Sequence, residues 1–288
     1  MKISDIINKK NEVLFSFEFF PPKDEISAVD FGINVGQLMK LKPSFVTVTY
    51  GAGGSDQHRT FAIVDYLQNA IGLTCSAHYT CVNAPLEKIH EDLEYLNDKG
   101  IKNVMLLRGD PPKGQETFIA PEGGFRYASE LIEYVNKHFD FFISAACYAE
   151  KHPEAPSIEK DIENLKKKVD AGARLLISQL FFDNESFFRF IDKCRTSGIN
   201  TPIIPGIIPI TAYRQIERFT KMSGARIPDH LKEQLEKYKD NPEDLYKAGI
   251  EFSTNQCFQL LNNGVPGIHF YTLNKSRATV EIYEKLCK

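Results

Sequence analysis

The 288-residue chain has no tryptophan, so any ring that stacks on a flat ligand must come from its 21 phenylalanines and 12 tyrosines. Its six cysteines include no C-x-x-C, and cysteine and histidine show no paired spacing of the kind that holds zinc. They read as buried free thiols of a reducing compartment, with Cys81 and Cys147 open as nucleophiles because they lie near strand ends. No G-x-G-x-x-G occurs, which removes the fingerprint of an open dinucleotide-binding sheet. Positive charge is not in excess either. The 35 Lys and Arg face 38 Asp and Glu, a net charge of −3, and no nucleic-acid partner is expected. No apolar run approaches the roughly 18 residues of a membrane helix. The opening MKISDIINKKNEVL carries charges where a secretory leader needs an apolar core. The expectation is a cytoplasmic protein that meets no membrane. Repeats, low-complexity tracts and Pro- or Ser-rich linkers are missing, which favours one domain over residues 1–288.

What is present is alternation. Eight β-branched or aromatic runs, at 13–20, 45–50, 73–80, 103–108, 141–148, 175–181, 202–208 and 267–273, are separated by amphipathic stretches. Several runs are apolar on both sides, as parallel strands covered by helices are. Helices are expected over 24–41 (with Ile26, Val29, Ile33 and Leu38 at helical spacing), 56–71, 85–99, 125–138, 157–171, 184–197, 211–222 and 275–286. Two more, 229–238 and 242–263, fill the long gap between the last two runs. Gly100, Gly172, Gly198, Gly224 and Gly264 punctuate helix ends. Eight strand–helix units predict an α/β fold, the (β/α)₈ TIM barrel, with extra helices between strands 7 and 8. A doubly wound sheet is the alternative.

A barrel enzyme carries its chemistry at the C-terminal ends of its strands. Glu18 stands out there. It lies within an apolar run, and period-two alternation puts Ser16 and Glu18 on one face and Val13, Phe15, Phe17 and Phe19 on the other. If the apolar face meets the helices, Glu18 points into the barrel mouth. Loss of solvation there favours the protonated carboxyl, which suits a general acid. The competing explanation is a structural pair with a buried Arg or Lys. The same alternation groups Thr74, Ser76, His78 and Thr80, with His78 either a ligand contact or an internal hydrogen-bonding residue. The loop 51–54 is glycine-rich. Arg108-Gly109-Asp110 could grip a polar ligand edge or form an Arg–Asp structural pair. Gln179, in an apolar run, wants a specific partner, either a ligand or barrel backbone.

The motifs FSFEFFPPK (15–23), FVTVTYGAGGS (45–55), AHYTCVN (77–83), LLRGDPP (106–112), YAEKHPEA (148–155), DAGARLLISQLFFD (170–183), IIPGIIPI (203–210) and FYTLN (270–274) together resemble the methylenetetrahydrofolate reductase family. The resemblance spans nearly the whole chain. It implies a (β/α)₈ barrel that binds FAD noncovalently and is reduced by NADH or NADPH. It then reduces 5,10-methylenetetrahydrofolate to 5-methyltetrahydrofolate by a ping-pong scheme, in one-carbon metabolism that feeds methionine synthesis. It implies a homo-oligomer as well. Glu18 resembles the family's general acid, and Asp110 the acid beside flavin and pterin. Gln179 and Phe219 (in RFTKM) resemble substrate contacts, and Lys275 stands where the family often has an arginine for the folate. The resemblance assigns flavin binding to Thr49, His78, Leu107, Arg108, Gly109, Asp110, Tyr127, Ala128, Ala146, Tyr148, His152, Asp161 and Lys168, with no metal. The segment 113–126 is longer than in compact bacterial relatives. Relatives with a regulatory domain that binds S-adenosylmethionine carry it beyond the barrel, and none is expected here. Two other readings are a Schiff-base aldolase using Lys275 and a flavin or folate binder without catalysis.

Overall fold

All eight apolar runs form strands in the computed structural model, which describes residues 1–9, 12–51, 57–111, 114 and 118–288. The strands are β1 (Leu14–Phe19), β2 (Phe45–Val48), β3 (Cys75–Thr80), β4 (Asn103–Leu107), β5 (Phe142–Cys147), β6 (Leu175–Ser178), β7 (Ile203–Ile204), β8 (Gly206–Ile207) and β9 (Gly267–Tyr271). Every pairing is parallel, and the order is β7-β6-β5-β4-β3-β2-β1-β9-β8. The run expected at 202–208 is two short strands, not one. Pro205 has no N–H to give the ladder, so pairing with β6 stops there. Its carbonyl accepts from the His269 N–H at 2.9 Å, and β8 continues along β9. The sheet closes through that proline into the expected barrel.

The helices are α1 (Ile3–Ile7), α2 (Glu25–Met39), α3 (Gln57–Asp65, continued by a π turn over Tyr66–Ala70), α4 (Leu86–Asp98), α5 (Ala128–His138), α6 (Ile158–Asp170), α7 (Asn184–Thr196), α8 (Tyr213–Ser223), α9 (Asp229–Lys237), α10 (Pro242–Asn262) and α11 (Arg277–Leu286). Caps mark several starts: the side chains of Asp24, Ser157, Asp183 and Asn241 each accept a backbone N–H of the following turn. The five punctuating glycines all have positive φ. In α2 the buried stripe is Phe31, Val35 and Leu38. Ile26, Val29 and Ile33 form a second stripe that stays exposed, so only Leu38 of the four expected positions faces the core. The last helix begins at Arg277, which leaves Lys275 in the turn before it.

Helix α1, too short to show a period, has a specific task. Ile3 and Ile6 pack with Leu14, Phe45, Phe142 and Leu175, the first residues of their strands or next to them, and with Ile204. Each such side chain contributes about 1.5–3 kcal/mol on burial. Asn103 latches the segment: its Oδ1 accepts from Ile3 N–H at 2.7 Å and its Nδ2 donates to the Met1 carbonyl at 3.1 Å. The N-terminal end of the barrel is thereby stoppered. The outer layer, between strands and helices, is the main core and includes Phe17, Phe19, Val46, Tyr79, Leu106 and Phe270.

Candidate active site

Period two in β1 sends Phe17 and Phe19 outward to the helices and Ser16 and Glu18 inward. Glu18 is 7% exposed. Among the described residues no Lys or Arg is in ion-pair reach, so the structural pair weighed above is not formed. Two histidines face it instead: Nε2 of His78 is 3.6 Å from Glu18 Oε2, and Nε2 of His269 is 3.7 Å from the same oxygen. Burial pushes His78 down to about 4, against the pull of the Glu18 charge, so its ring is neutral near pH 7. Around them the hydroxyls of Thr47, Ser76 and Thr80, together with both Nε2 atoms, are buried without a hydrogen-bond partner among the described residues. Buried polar groups without partners are costly, and such a cluster lining the barrel interior below Thr80 at the end of β3 is what a polar ligand would satisfy.

The wall beside Glu18 is built from the closing seam. Tyr271 pairs in register with Glu18, and its hydroxyl donates to the Ser178 carbonyl at 2.6 Å. Burial, then the Glu18 charge, pushes that hydroxyl well above its ordinary pKa, so it stays protonated. Gly206 makes the approach possible. A Cβ there would lie 2.2 Å from the Ser178 carbonyl oxygen and 2.6 Å from the Tyr271 hydroxyl. The Thr272 hydroxyl donates to the Glu18 carbonyl at 2.6 Å. The Asn274 side chain accepts from Phe20 N–H at 2.9 Å and donates to its carbonyl at 2.8 Å, fixing the end of β1.

A second group gathers at the ends of β4 and β5. Arg108 places its guanidinium fork on Glu154, both contacts at 2.6 Å, and over the Phe118 ring. Its partner is thus Glu154 of the next loop and not Asp110, which corrects the Arg–Asp pair considered from sequence. Asp110 is exposed, close enough to raise the Arg108 and Tyr148 pKa values by its charge, behind larger causes. Gly109, at φ 88°, packs on Thr80 and Val82. Tyr148 stands edge-on to His152. The His152 N–H donates to Asp161 at 2.9 Å, and Lys168 Nζ donates to the Ala146 carbonyl at 3.0 Å. Burial lowers the Lys168 pKa, countered by Asp161. Arg108, Ala146, Tyr148, His152, Asp161 and Lys168 therefore form one cluster.

The remaining candidates are more scattered. Thr49 uses its backbone, donating to Phe19 and accepting from Thr60. Leu107 packs on the barrel-interior cluster. Ala128 is buried at the start of α5, whereas Tyr127 is exposed with its ring under Arg126. Gln179 Oε1 accepts its neighbour's Leu180 N–H at 2.9 Å, a barrel-backbone bond, and the residue lines a cleft with Tyr148, Glu150 and Ser223. Phe219 packs in the cluster of Leu180, Phe182 and Ile216. Lys275 is exposed, which deprives a Schiff-base mechanism of the desolvated lysine it needs. Ala52, Gly53 and Gly54 of the glycine-rich loop, and Pro112 and Lys113 after β4, lie outside the described residues. Five cysteines are buried and Cys287 is exposed; burial raises Cys81 to about 12 and Cys147 still higher, which disfavours a thiolate at either.

His269 and Glu154 were missed from sequence. The alternation that singles out Glu18 also aligns Gly267, His269 and Tyr271 on one face of β9, and would have found His269.

The family model described as methylenetetrahydrofolate reductase matches residues 2–287. Methylenetetrahydrofolate reductase (NADH) 1 of Arabidopsis thaliana is 40% identical over 300 residues, covering 99% of this chain and 51% of the relative. The 5,10-methylenetetrahydrofolate reductase of Escherichia coli K12 is 37% identical over 277 residues, covering 96% of this chain and 92% of the relative. The chain spans about half the length of the plant relatives it matches. Among solved structures, a Clostridium thermocellum protein that binds two copies of 5-methyl-5,6,7,8-tetrahydrofolic acid superposes with TM-score 0.67 at 15% identity. It covers 98% of this chain and 96% of that one, a likeness of fold.

Proposed function

The chain belongs to the methylenetetrahydrofolate reductase family, and from that premise we propose that it reduces 5,10-methylenetetrahydrofolate to 5-methyltetrahydrofolate, drawing on NADH or NADPH and carrying FAD noncovalently. The NADH in the names of the plant relatives favours NADH as donor. The observation that carries the reading is Glu18: a buried carboxyl inside the barrel mouth, with neutral His78 and unpartnered hydroxyls for neighbours and no Lys or Arg in ion-pair reach among the described residues. A purely binding protein has no use for such an acid.

The residues fit a flavin. The unpartnered Thr47, Ser76 and Thr80 hydroxyls and His78 Nε2 offer polar contacts, and Arg108, His152 and Lys168 offer donors suited to phosphate and ribityl oxygens. Arg108 would exchange or share its Glu154 contact to do so. When bound, FAD would supply the hydride chemistry between pyridine nucleotide and folate. The chain's own part is protonation and placement. Glu18 would give a proton to the folate ring nitrogen, opening the five-membered ring to an iminium that is able to accept hydride. Asp110, at the rim, would bias the charge near the pterin. Gln179 would turn its amide to the substrate, Phe219 would pack on it, and Lys275 would meet the anionic tail as a point charge.

The test is the absorption spectrum of the purified protein supplied with FAD. A flavin band should appear, bleach anaerobically with NADH or NADPH, and return on adding methylenetetrahydrofolate. A protein that stays colourless with excess FAD would overturn the reading.

A further inference from the structure

Lys151, in the loop after β5, combines a strained backbone with an ammonium wholly engaged by its own loop. Its φ is 139°. The other described non-glycine residues with positive φ are Lys42, Asn83, Leu273 and Asn274. They lie between 51° and 58°, in the left-handed well that a side chain can occupy. Lys151 lies outside that well, in backbone territory that suits glycine. Such a conformation persists only where its surroundings impose it. Here its own side chain does so. Lys151 Nζ donates to the carbonyls of His152, Pro153 and Ala155 at 3.2, 3.3 and 2.6 Å. An ammonium has three N–H donors, and all three go to this one loop.

The loop carries two groups of the cluster at the ends of β4 and β5. Glu154 takes the Arg108 fork, with both contacts at 2.6 Å. The Glu154 N–H donates to His152 Nδ1 at 3.1 Å, and the Ala155 N–H donates to the His152 carbonyl at 2.9 Å. With Nδ1 accepting, the neutral His152 ring carries its proton on Nε2 and is a donor there. Burial keeps the ring neutral by lowering its pKa, against the Glu154 charge. We propose that Lys151 is the positioning residue of this rim: by gathering three carbonyls it fixes the loop that sets the Arg108 guanidinium and the His152 ring before flavin arrives. The inference rests on the reading of Arg108 and His152 as flavin contacts. Lys151 acts through the loop, its own donors being committed to carbonyls. Donors held in place beforehand bind more tightly, because less freedom is lost when the ligand enters.

The experiment reads FAD affinity in a Cys287→Ser background, where the five remaining cysteines are buried. Lys151→Cys removes the ammonium. Alkylating the new thiol with 2-bromoethylamine rebuilds a side chain of lysine's length with its three N–H donors. Alkylating it with (2-bromoethyl)trimethylammonium rebuilds the charge without a donor. FAD binding, followed by quenching of flavin fluorescence, should weaken about tenfold in Lys151→Cys, mostly through faster dissociation. Aminoethylation should return it to within about twofold of the parent, and the trimethylammonium reagent should leave it weak. In the flavin-free protein the Glu154 and Ala155 amides should exchange with solvent about tenfold faster in Lys151→Cys, and slow again on aminoethylation. Unchanged affinity or unchanged exchange in Lys151→Cys, or equal recovery with the two reagents, would overturn the inference. A parent protein that binds no FAD would instead overturn the functional reading, with amide exchange still testing the grip of Lys151 on its loop.

Discussion

Gly206→Ala tests how tightly the barrel closes beside Glu18. The new methyl would stand 2.2 Å from the Ser178 carbonyl oxygen and 2.6 Å from the Tyr271 hydroxyl. To reach an ordinary contact, more than about 1 Å must open between neighbouring strands. Overpacking of this kind costs about 1–3 kcal/mol, and severing the buried bond between Tyr271 and Ser178 about 1–3 more. The sum is about 2–6 kcal/mol, read as a lower denaturant midpoint at unchanged slope. Tyr271→Phe separates the two contributions. It removes the hydroxyl whose bond the methyl would sever while leaving the Ser178 and ring-carbon contacts, so Gly206→Ala should cost about 1–3 kcal/mol less in that background. The folate half-reaction should fall as well, since Tyr271 pairs in register with Glu18. A Gly206→Ala protein within about 1 kcal/mol of wild type would refute the argument that this seam has no slack.

Other expectations follow from single residues. Glu18→Gln should nearly abolish folate reduction while costing far less in oxidation of NADH by an artificial acceptor; equal loss of both would make Glu18 structural. His78, with an ordinary pKa of 6.5 held down to about 4 by burial, takes up its proton more readily in the unfolded chain. Its contribution is therefore full above pH 6.5 and lost as pH falls toward 4, up to about 3 kcal/mol, and His78→Asn should flatten that part of the stability profile. Asp92→Ala should cost about 2 kcal/mol in denaturant unfolding, because the wholly buried Tyr79 hydroxyl donates to Asp92 at 2.9 Å and would lose its acceptor. Adding Tyr79→Phe should recover part of that loss.

Alternation made the inner wall of the barrel readable. Ser16 and Glu18, then Ser76, His78 and Thr80, are polar at every second position of apolar runs, and such a pattern has one geometric solution in a closed sheet. The helix periods were equally plain except in α2, which has two apolar stripes. Periodicity cannot tell which one meets the sheet, and the larger Phe31, Val35 and Leu38 do so. What stayed hidden was contact between elements. Nothing near Arg108 in the chain announces Glu154, which lies 46 residues away across two loops. The break at Pro205 follows from its missing N–H, yet whether a proline ends a strand or only interrupts it depends on which neighbour supplies the next pair. Helix α1 has five residues, too few for any period to show.

That short helix has a consequence for traffic. With Ile3 and Ile6 driven into the bottom of the barrel and tied by Asn103, the N-terminal end of the strands offers no way in to the space around Glu18 among the described residues. Two molecules that both need the same carboxyl-lined depth cannot approach from opposite ends, as they could in an open tube. On the function proposed above, nucleotide and folate would share one entrance, which suits turns taken in sequence. A five-residue segment at the far end of the strands thus decides from which side a ligand comes.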